Sequence, residues 1–360
     1  MINRKVAYGA VMEYSEGCEH YKFSLVDTYE PDDPSHPQVL TKEMALNWLR
    51  SERSSVKKEE VRFRGELWGH SGDQIIVSLE SVPNAFLIVG DTYQVRLGRK
   101  KFPAQLTSFL NNFATFRILG QTGDVTLKAK SRSVEISSNA NVYLYEVSED
   151  WVRHLETDNL MDFLSKLTLV IDGPPGSGKT TEIARVIREK GDKRFLIVSL
   201  SNVAVDNVLM RLEDLNPLKI GIKKVFPNVK HVSEIKGEVE ERIVGMTLTS
   251  FAMAVKRGIV KQDFDYLVVD EASMIPFALG IMPFDFAEKV IVAGDNRQLR
   301  PIVFSTPPNT YPAWGSLMSV AVGYAKAHGV YKYLNVQYRG RNEIYDVIAQ
   351  AFYSDVGIQV

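Results

Sequence analysis

From residue 167 onward the chain alternates short, unbroken apolar runs with amphipathic stretches. Residues 167–171, 195–198, 266–269 and 290–293 are apolar or nearly so at successive positions. A strand covered on both faces reads this way, whereas a half-exposed strand alternates. Between the first two runs, residues 181–189 set Ile183, Val186 and Ile187 on one side of a helix. Strand and helix in alternation predict a parallel sheet with helices on both faces, an α/β fold.

Upstream the texture differs. Short β-like runs at 61–68, 74–79, 85–89, 93–97, 112–118, 124–127 and 142–145 are separated by Gly, Asn, Asp and Pro, which predicts a small β-barrel. Residues 1–60 are the least patterned. Pro31, Pro34 and Pro37 with Asp32 and Asp33 predict a loop, and a helix follows with Thr41 as its N-cap and Ala45, Leu46 and Leu49 on one face.

Composition narrows the picture a little. A formal charge of -1 over 360 residues gives no global pull toward polyanions, so any such site is a local patch. One cysteine, Cys18, excludes an internal disulfide and a cysteine-cluster zinc site. No apolar run approaches the ~18 residues that span a bilayer, and the N-terminus lacks a signal-peptide core. The expectation is a soluble, cytoplasmic protein with no membrane partner.

The chemistry is concentrated in the α/β part. Between the run at 167–171 and the helix at 181–189 lies Gly173-Pro-Pro-Gly-Ser-Gly-Lys-Thr-Thr181. Glycines let successive amides converge on phosphate oxygens, and the helix N-terminus adds partial positive charge. Strand, glycine-rich loop and helix are the setting that a phosphate cradle requires. Its candidate nucleotide-binding residues are Gly173, Pro174, Pro175, Gly176, Ser177, Gly178, Lys179, Thr180 and Thr181. Lys179 would reach the β- and γ-phosphates, and Thr180 would hold Mg2+.

The run at 266–269 breaks into Asp270 and Glu271, carboxylates placed where α/β sheets bind ligands. Asp270 is the second candidate for Mg2+, and Glu271 would orient or deprotonate the attacking water. After 290–293 come Gly294, Asp295 and Gln298, whose neutral amide can contact both γ-phosphate and water. Arg339 follows a β-like run at 333–336; its guanidinium is either a phosphate clamp or one half of a surface ion pair.

Other segments follow in order: Ser201-Asn-Val-Ala-Val-Asp-Asn207, Gly245-Met-Thr-Leu-Thr-Ser250, Gly294-Asp-Asn-Arg-Gln-Leu-Arg-Pro301, Gln337-Tyr-Arg339 and Ala351-Phe-Tyr353. With the cradle and the Asp-Glu pair they resemble the first motor domain of a superfamily 1B helicase of the up-frameshift type. That resemblance implies a RecA-like P-loop domain preceded by a small β-barrel, ATP and Mg2+ as ligands, and single-stranded DNA or RNA as the polymer. It implies catalytic roles for Lys179, Asp270, Glu271, Gln298 and Arg339, and Tyr338 beside the adenine. It places Ser201, Asn202, Val205, Thr247, Thr249 and Ser250 on the strand track. Thr247 and Thr249 are also compatible with strand filler, and Tyr338 with core packing. In the barrel, Lys100 and Lys101, with Arg96, Arg99 and Phe102, form a basic cluster that either touches the strand or is a solvated face.

The chain also departs from the family pattern. Residues 141–165 contain no glutamine where the family has a base-reading one; Arg300-Pro301 stands for Pro-Pro, and Gly340-Arg341-Asn342 for Met-His-Pro. The resemblance divides the chain into an N-terminal segment with a stalk-like helix (1–60), a barrel (61–147), a first motor domain (148–340) and the start of a second (341–360). A second RecA-like domain, in the full-length protein or a partner chain, would supply the remaining motifs. The expected function is the N-terminal portion of an ATP-dependent 5′-to-3′ helicase, slow on its own. The alternative is an ATP-gated nucleic-acid clamp or adaptor that does not separate strands.

Overall fold

The computed structural model describes residues 2–7, 10–15, 22–25, 39–58, 62–80, 92–98, 100–110, 112–119, 133–138, 140–221, 230–232, 239–256, 258–354 and 356–358. Cys18, the proline loop at 31–37 and the runs at 85–89 and 124–127 lie outside them. The chain divides into two compact units, residues 1–49 with 148–360, and residues 50–147.

The N-terminal strands β1 (Ile2–Ala7), β2 (Ala10–Ser15) and β3 (Lys22–Leu25) form an antiparallel meander. Helix α1 (Lys42–Lys58) starts where the sequence predicts: the Thr41 hydroxyl accepts from the Met44 amide at 3.2 Å.

The second unit is a closed barrel of β4 (Arg62–Ser71), β5 (Gln74–Leu79), β6 (Thr92–Leu97), β7 (Lys100–Leu110), β8 (Phe113–Ile118) and β9 (Ser133–Ser138), in the order β4-β5-β8-β7-β6-β9. Alternate residues fill it: Ile75, Val77 and Leu79 from β5, Ala114, Phe116 and Ile118 from β8, Val134 and Ile136 from β9. The run at 142–145, expected as a strand, lies in helix α2 (Ala140–His154). Its β-branched and aromatic residues favour a strand locally, but Leu144, Tyr145, Val147, Ser148 and Val152 are buried at helical spacing, and packing overrides propensity.

The α/β layer is one eight-stranded sheet, every pair parallel, built from β10 (Leu167–Asp172), β11 (Phe195–Ser199), β12 (Leu218–Ile220), β13 (Lys230–Val232), β14 (Ile243–Thr247), β15 (Phe264–Val269), β16 (Ala287–Gly294) and β17 (Tyr331–Tyr333). The order is β13-β12-β14-β11-β15-β16-β10-β17. The β-like run expected at 333–336 is only partly strand, since β17 stops at Tyr333 and Leu334 already turns toward the cradle.

One sheet face carries Ile197, Val268 and Ile291 under α3 (Lys179–Glu189) and α4 (Asn202–Met210). The alternate residues Leu196, Val198, Leu267 and Val292 are buried on the other face, the side of α5 (Leu248–Lys256), α6 (Phe277–Gly280) and α7 (Leu317–His328). A last helix, α8 (Asn342–Phe352), follows β17. Because all eight strands run the same way, the loops leaving β10, β11, β14, β15 and β16 open on one edge. No helix among the described residues is long and apolar enough to cross a membrane.

Candidate active site

The cradle starts at Gly173, where a Cβ would lie 2.7 Å from the Leu334 carbonyl and 2.7 Å from Ser177 Oγ. Gly176 and Gly178 take φ of +83° and +88°, a region that costs other residues about 1–2 kcal/mol. Gly176 also faces the segment after β17, where an added Cβ would be 2.8 Å from Arg339 Cβ. Lys179 opens α3 and turns back, its Nζ donating to the Gly173 carbonyl at 2.7 Å and that of Pro174 at 3.1 Å. Burial pulls its pKa down, opposed by Asp295, Glu271, Asp270 and Asp172. Ser177 Oγ is buried inside the loop with no hydrogen-bond partner. An orphaned hydroxyl in a ring of amides fits a phosphate oxygen.

Asp270 is 3% exposed at the end of β15. Burial, then the neighbouring Glu271, pushes its carboxyl up to about 7. Glu271 has φ +57°, a left-handed conformation unusual outside glycine, and its amide donates to Asp270 Oδ1 at 3.0 Å. Thr180, half-buried in the first turn of α3, supplies a hydroxyl. A hydroxyl and a carboxylate are hard oxygen donors. Such donors are of the kind that Mg2+ accepts, an ion that keeps several waters and shares a nucleotide's phosphates. The described residues contain no cluster of three or more metal-ligating acids, histidines or cysteines.

Gln298 lies in the loop after β16, its Nε2 donating to Asp295 Oδ2 at 3.1 Å. Gln337 is buried, its Oε1 accepting from the amides of Arg339 and Gly340. This folds residues 337–340 into a tight turn over the cradle, and the Tyr338 amide donates to the Gly176 carbonyl at 3.0 Å. The Tyr338 ring is 76% exposed, so it is no core residue. Arg339 is exposed and makes no ion pair among the described residues.

Across the same edge, Ser201 caps α4, its Oγ accepting from the Ala204 amide at 3.1 Å. Thr247 caps α5 in the same way, accepting from the Ser250 amide at 3.2 Å and donating to Ser250 Oγ at 2.9 Å. Two helix N-termini therefore aim at this edge, a setting that favours anions. Thr249 lies half-buried in the first turn of α5. Asn202 Oδ1 is buried without a partner. Gly221, at φ +125° beyond β12, brings these groups close: its Cβ would be 3.4 Å from Ser250 Oγ and 3.9 Å from Asn202 Oδ1.

A family model described as an AAA domain matches residues 153–242 and 236–306. The chain is 31% identical over 175 residues to the DNA replication ATP-dependent helicase/nuclease dna2 of Schizosaccharomyces pombe, covering 45% of this chain and 12% of that protein. It is 29% identical over 198 residues to DNA2 of Homo sapiens, covering 50% of this chain and 18% of that protein. Over these residues the chain is similar to a superfamily 1B helicase motor domain of the up-frameshift-like type. More distantly, it is similar to an arterivirus nonstructural protein 10 helicase solved with DNA, at 15% identity and a TM-score of 0.41, covering 81% of this chain and 59% of that one.

Within the motor domain, one nominated residue is placed differently from its expectation. Val205 is fully buried, and a Cβ on Gly245 would touch its side chain at 2.9 Å, so it packs α4 onto β14 and does not face a track. In the barrel, Lys100 and Lys101 are exposed, but Phe102 points into the core and offers no stacking face. The motor domain also holds site residues that the motifs leave without a role. Asp172 is buried, accepting from the Asn296 amide at 3.1 Å and the Tyr331 hydroxyl at 2.9 Å. Asp295 is 1% exposed and accepts from Gln298, Arg297 and Tyr353. The only signal for Asp172 is a charge at the end of an apolar run, a pattern shared by ordinary strand ends.

Proposed function

We propose that this chain binds Mg-ATP and single-stranded nucleic acid and hydrolyses the nucleotide as part of a 5′-to-3′ DNA or RNA helicase inside the cell. The observation that carries the reading is the shared edge of the parallel sheet. It holds a cradle with the unpartnered Ser177 hydroxyl, the buried Asp270, and two capped helix N-termini beside the unpartnered Asn202 oxygen.

In this reading the amides of Gly173 to Thr181 and Lys179 hold the phosphates. Thr180 and Asp270 would hold Mg2+, which would supply positive charge to offset that of the phosphates. Lys179 faces four carboxylates, so the site's own field favours a metal-complexed nucleotide over a bare polyanion. Glu271, held by its backbone beside Asp270, takes the proton of the attacking water. Gln298 orients that water, and Arg339 steadies the transferring charge. Tyr338 offers its exposed ring to the base. Ser201, Asn202, Thr247, Thr249 and Ser250 hold backbone phosphates and sugars, which positions a strand without reading its sequence; in the barrel, Lys100 and Lys101 are offered to phosphates as well. The chain spans 12% of the S. pombe relative and 18% of the human one. A second RecA-like domain, in the same protein or another chain, belongs to this reading as the partner that completes the motor.

The test is magnesium-dependent ATP turnover with and without single-stranded DNA and RNA, beside Glu271→Gln. Polymer-stimulated turnover that the variant loses supports the reading, and the better polymer names the substrate. Unchanged turnover in Glu271→Gln, or no binding of either ATP or a single strand, overturns it.

A further inference from the structure

Helix α8 docks through two buried tyrosines whose hydroxyls end on different loops. Tyr345 lies near the start of α8 and Tyr353 caps its C-terminal end, and both side chains are buried. The Tyr345 hydroxyl donates to the Pro175 carbonyl, in the middle of the phosphate cradle. The Tyr353 hydroxyl donates to Asp295 Oδ2 at 2.6 Å, in the loop that carries Gln298. The same loop grips the end of α8 from its own side. Arg297 Nη1 donates to the Phe352 carbonyl at 3.2 Å, and its guanidinium lies 5.8 Å from the Tyr353 ring centre.

Asp295 Oδ2 receives two donors, the Tyr353 hydroxyl and Gln298 Nε2, while Oδ1 takes the Arg297 amide at 3.0 Å. An ionised carboxylate only accepts hydrogen bonds. Gln298 must therefore turn its NH2 toward Asp295 and leave its carbonyl oxygen outward. That outward oxygen suits a water proton and repels a phosphate oxygen. Rotating Asp295 would free the NH2 and reverse the preference. Tyr353 shares the oxygen that Gln298 uses, so it fixes the rotation of the carboxylate. Burial, with Asp295 beside it, holds the Tyr353 hydroxyl far above its usual range, so it stays a donor at working pH.

We propose that Tyr353 is a positioning residue that sets the Gln298 amide through Asp295, whereas Tyr345 sets the backbone of the phosphate cradle. One helix thus supports the reading of the third phosphate and the holding of the first two by separate bonds. The proposal rests on the nucleotide site described above. Two tyrosines that merely pin α8 would affect all nucleotides alike; two positioning contacts would not.

The experiment compares the full chain with Tyr353→Phe and Tyr345→Phe. Each variant keeps the ring and removes one hydroxyl, and thermal melts confirm folding. Binding of Mg-ADP and of a non-hydrolysable Mg-triphosphate is titrated, and kcat and KM for ATP are measured. Tyr353→Phe is expected to lower kcat about tenfold, since the water-facing carbonyl is lost, and, by freeing the Gln298 NH2 for a phosphate oxygen, to tighten the triphosphate analogue roughly fivefold, the size of one net hydrogen bond, with ADP changed less than twofold. Tyr345→Phe is expected to weaken both nucleotides by the same factor. Asp295→Asn, whose amide can turn either edge to Gln298, should reproduce the triphosphate-selective change of Tyr353→Phe even if the latter folds poorly. Equal loss of ADP and triphosphate in Tyr353→Phe, selective weakening of the triphosphate, or no change in either overturns the proposal while leaving the nucleotide site standing. A wild-type chain that binds neither nucleotide overturns both.

Discussion

Replacing Asp270 by Asn should stabilise the metal-free protein, and the gain should grow with pH. Asp270 is 3% exposed, and its carboxyl is pushed from 3.8 to about 7, first by burial and then by Glu271. A raised carboxylate pKa means that the native state holds a proton the unfolded state has lost. Stability is therefore undiminished below about 3.8, declines as pH rises, and reaches its lowest level above about 7. At 1.36 kcal/mol per unit the full penalty is about 4 kcal/mol, and about 2.5 kcal/mol of it develops between pH 5 and pH 8. Asn fills the same volume without that charge. Urea unfolding in EDTA should show Asp270→Asn gaining on wild type by roughly that amount across the interval. Adding Mg-ADP should reverse the order at pH 8, because only the carboxylate gains from the cation. Parallel stability curves for the two proteins from pH 5 to pH 8 would refute the argument, since the carboxyl would then not be desolvated.

Four further outcomes are expected. Gly173→Ala forces a Cβ to 2.7 Å from the Leu334 carbonyl, so nucleotide affinity should fall at least about tenfold in a fluorescence titration, with a stability loss of about 1–3 kcal/mol. Glu271→Gln should keep nucleotide affinity within about threefold while turnover falls by about 10² or more, as expected for loss of a general base. Lys219 and Asp206 form a buried ion pair joining β12 to α4; Lys219→Met should cost about 3–5 kcal/mol in urea unfolding, and adding Asp206→Leu should recover most of it. If Lys100 and Lys101 meet phosphates, replacing both with Ala should reduce the slope of log affinity against log salt by roughly 1.4 for a single strand; an unchanged slope would take the barrel out of the track.

The parallel sheet was readable because a strand buried on both faces leaves little freedom in residue choice, as at Leu196, Ile197 and Val198. The cradle was readable for a related reason: backbone at φ near +85° and contact with Leu334 leave room only for glycine. Other features lack such a local signature. Strand β7 begins with two lysines and contains Pro103, so its apolar alternation is hidden although Phe102, Ala104 and Leu106 point inward. Residues 142–145 have the composition of a strand, yet they lie in α2, where Leu144 and Tyr145 are buried at helical spacing with Val147, Ser148 and Val152. Val205 stands in a track motif yet packs beneath it, because the motif preserves a helix face as well as a contact surface. The roles of Asp295 and Tyr353 depend on a bond between residues 58 positions apart, which no spacing along the chain discloses.

The uniform strand direction leaves the opposite edge of the sheet free of this chemistry, and that edge is useful ground for instrumenting the protein. The exposed turn at Gly191, before β11, has φ +61° and open space around its Cα, and Gly258, ahead of β15, is similar. A fluorophore or a short peptide tag attached there sits a full strand length from the cradle, β11 and β15 being 5 and 6 residues long and rising about 3.3 Å per residue. Such a label would report on the motor domain without entering the edge where nucleotide and strand are read.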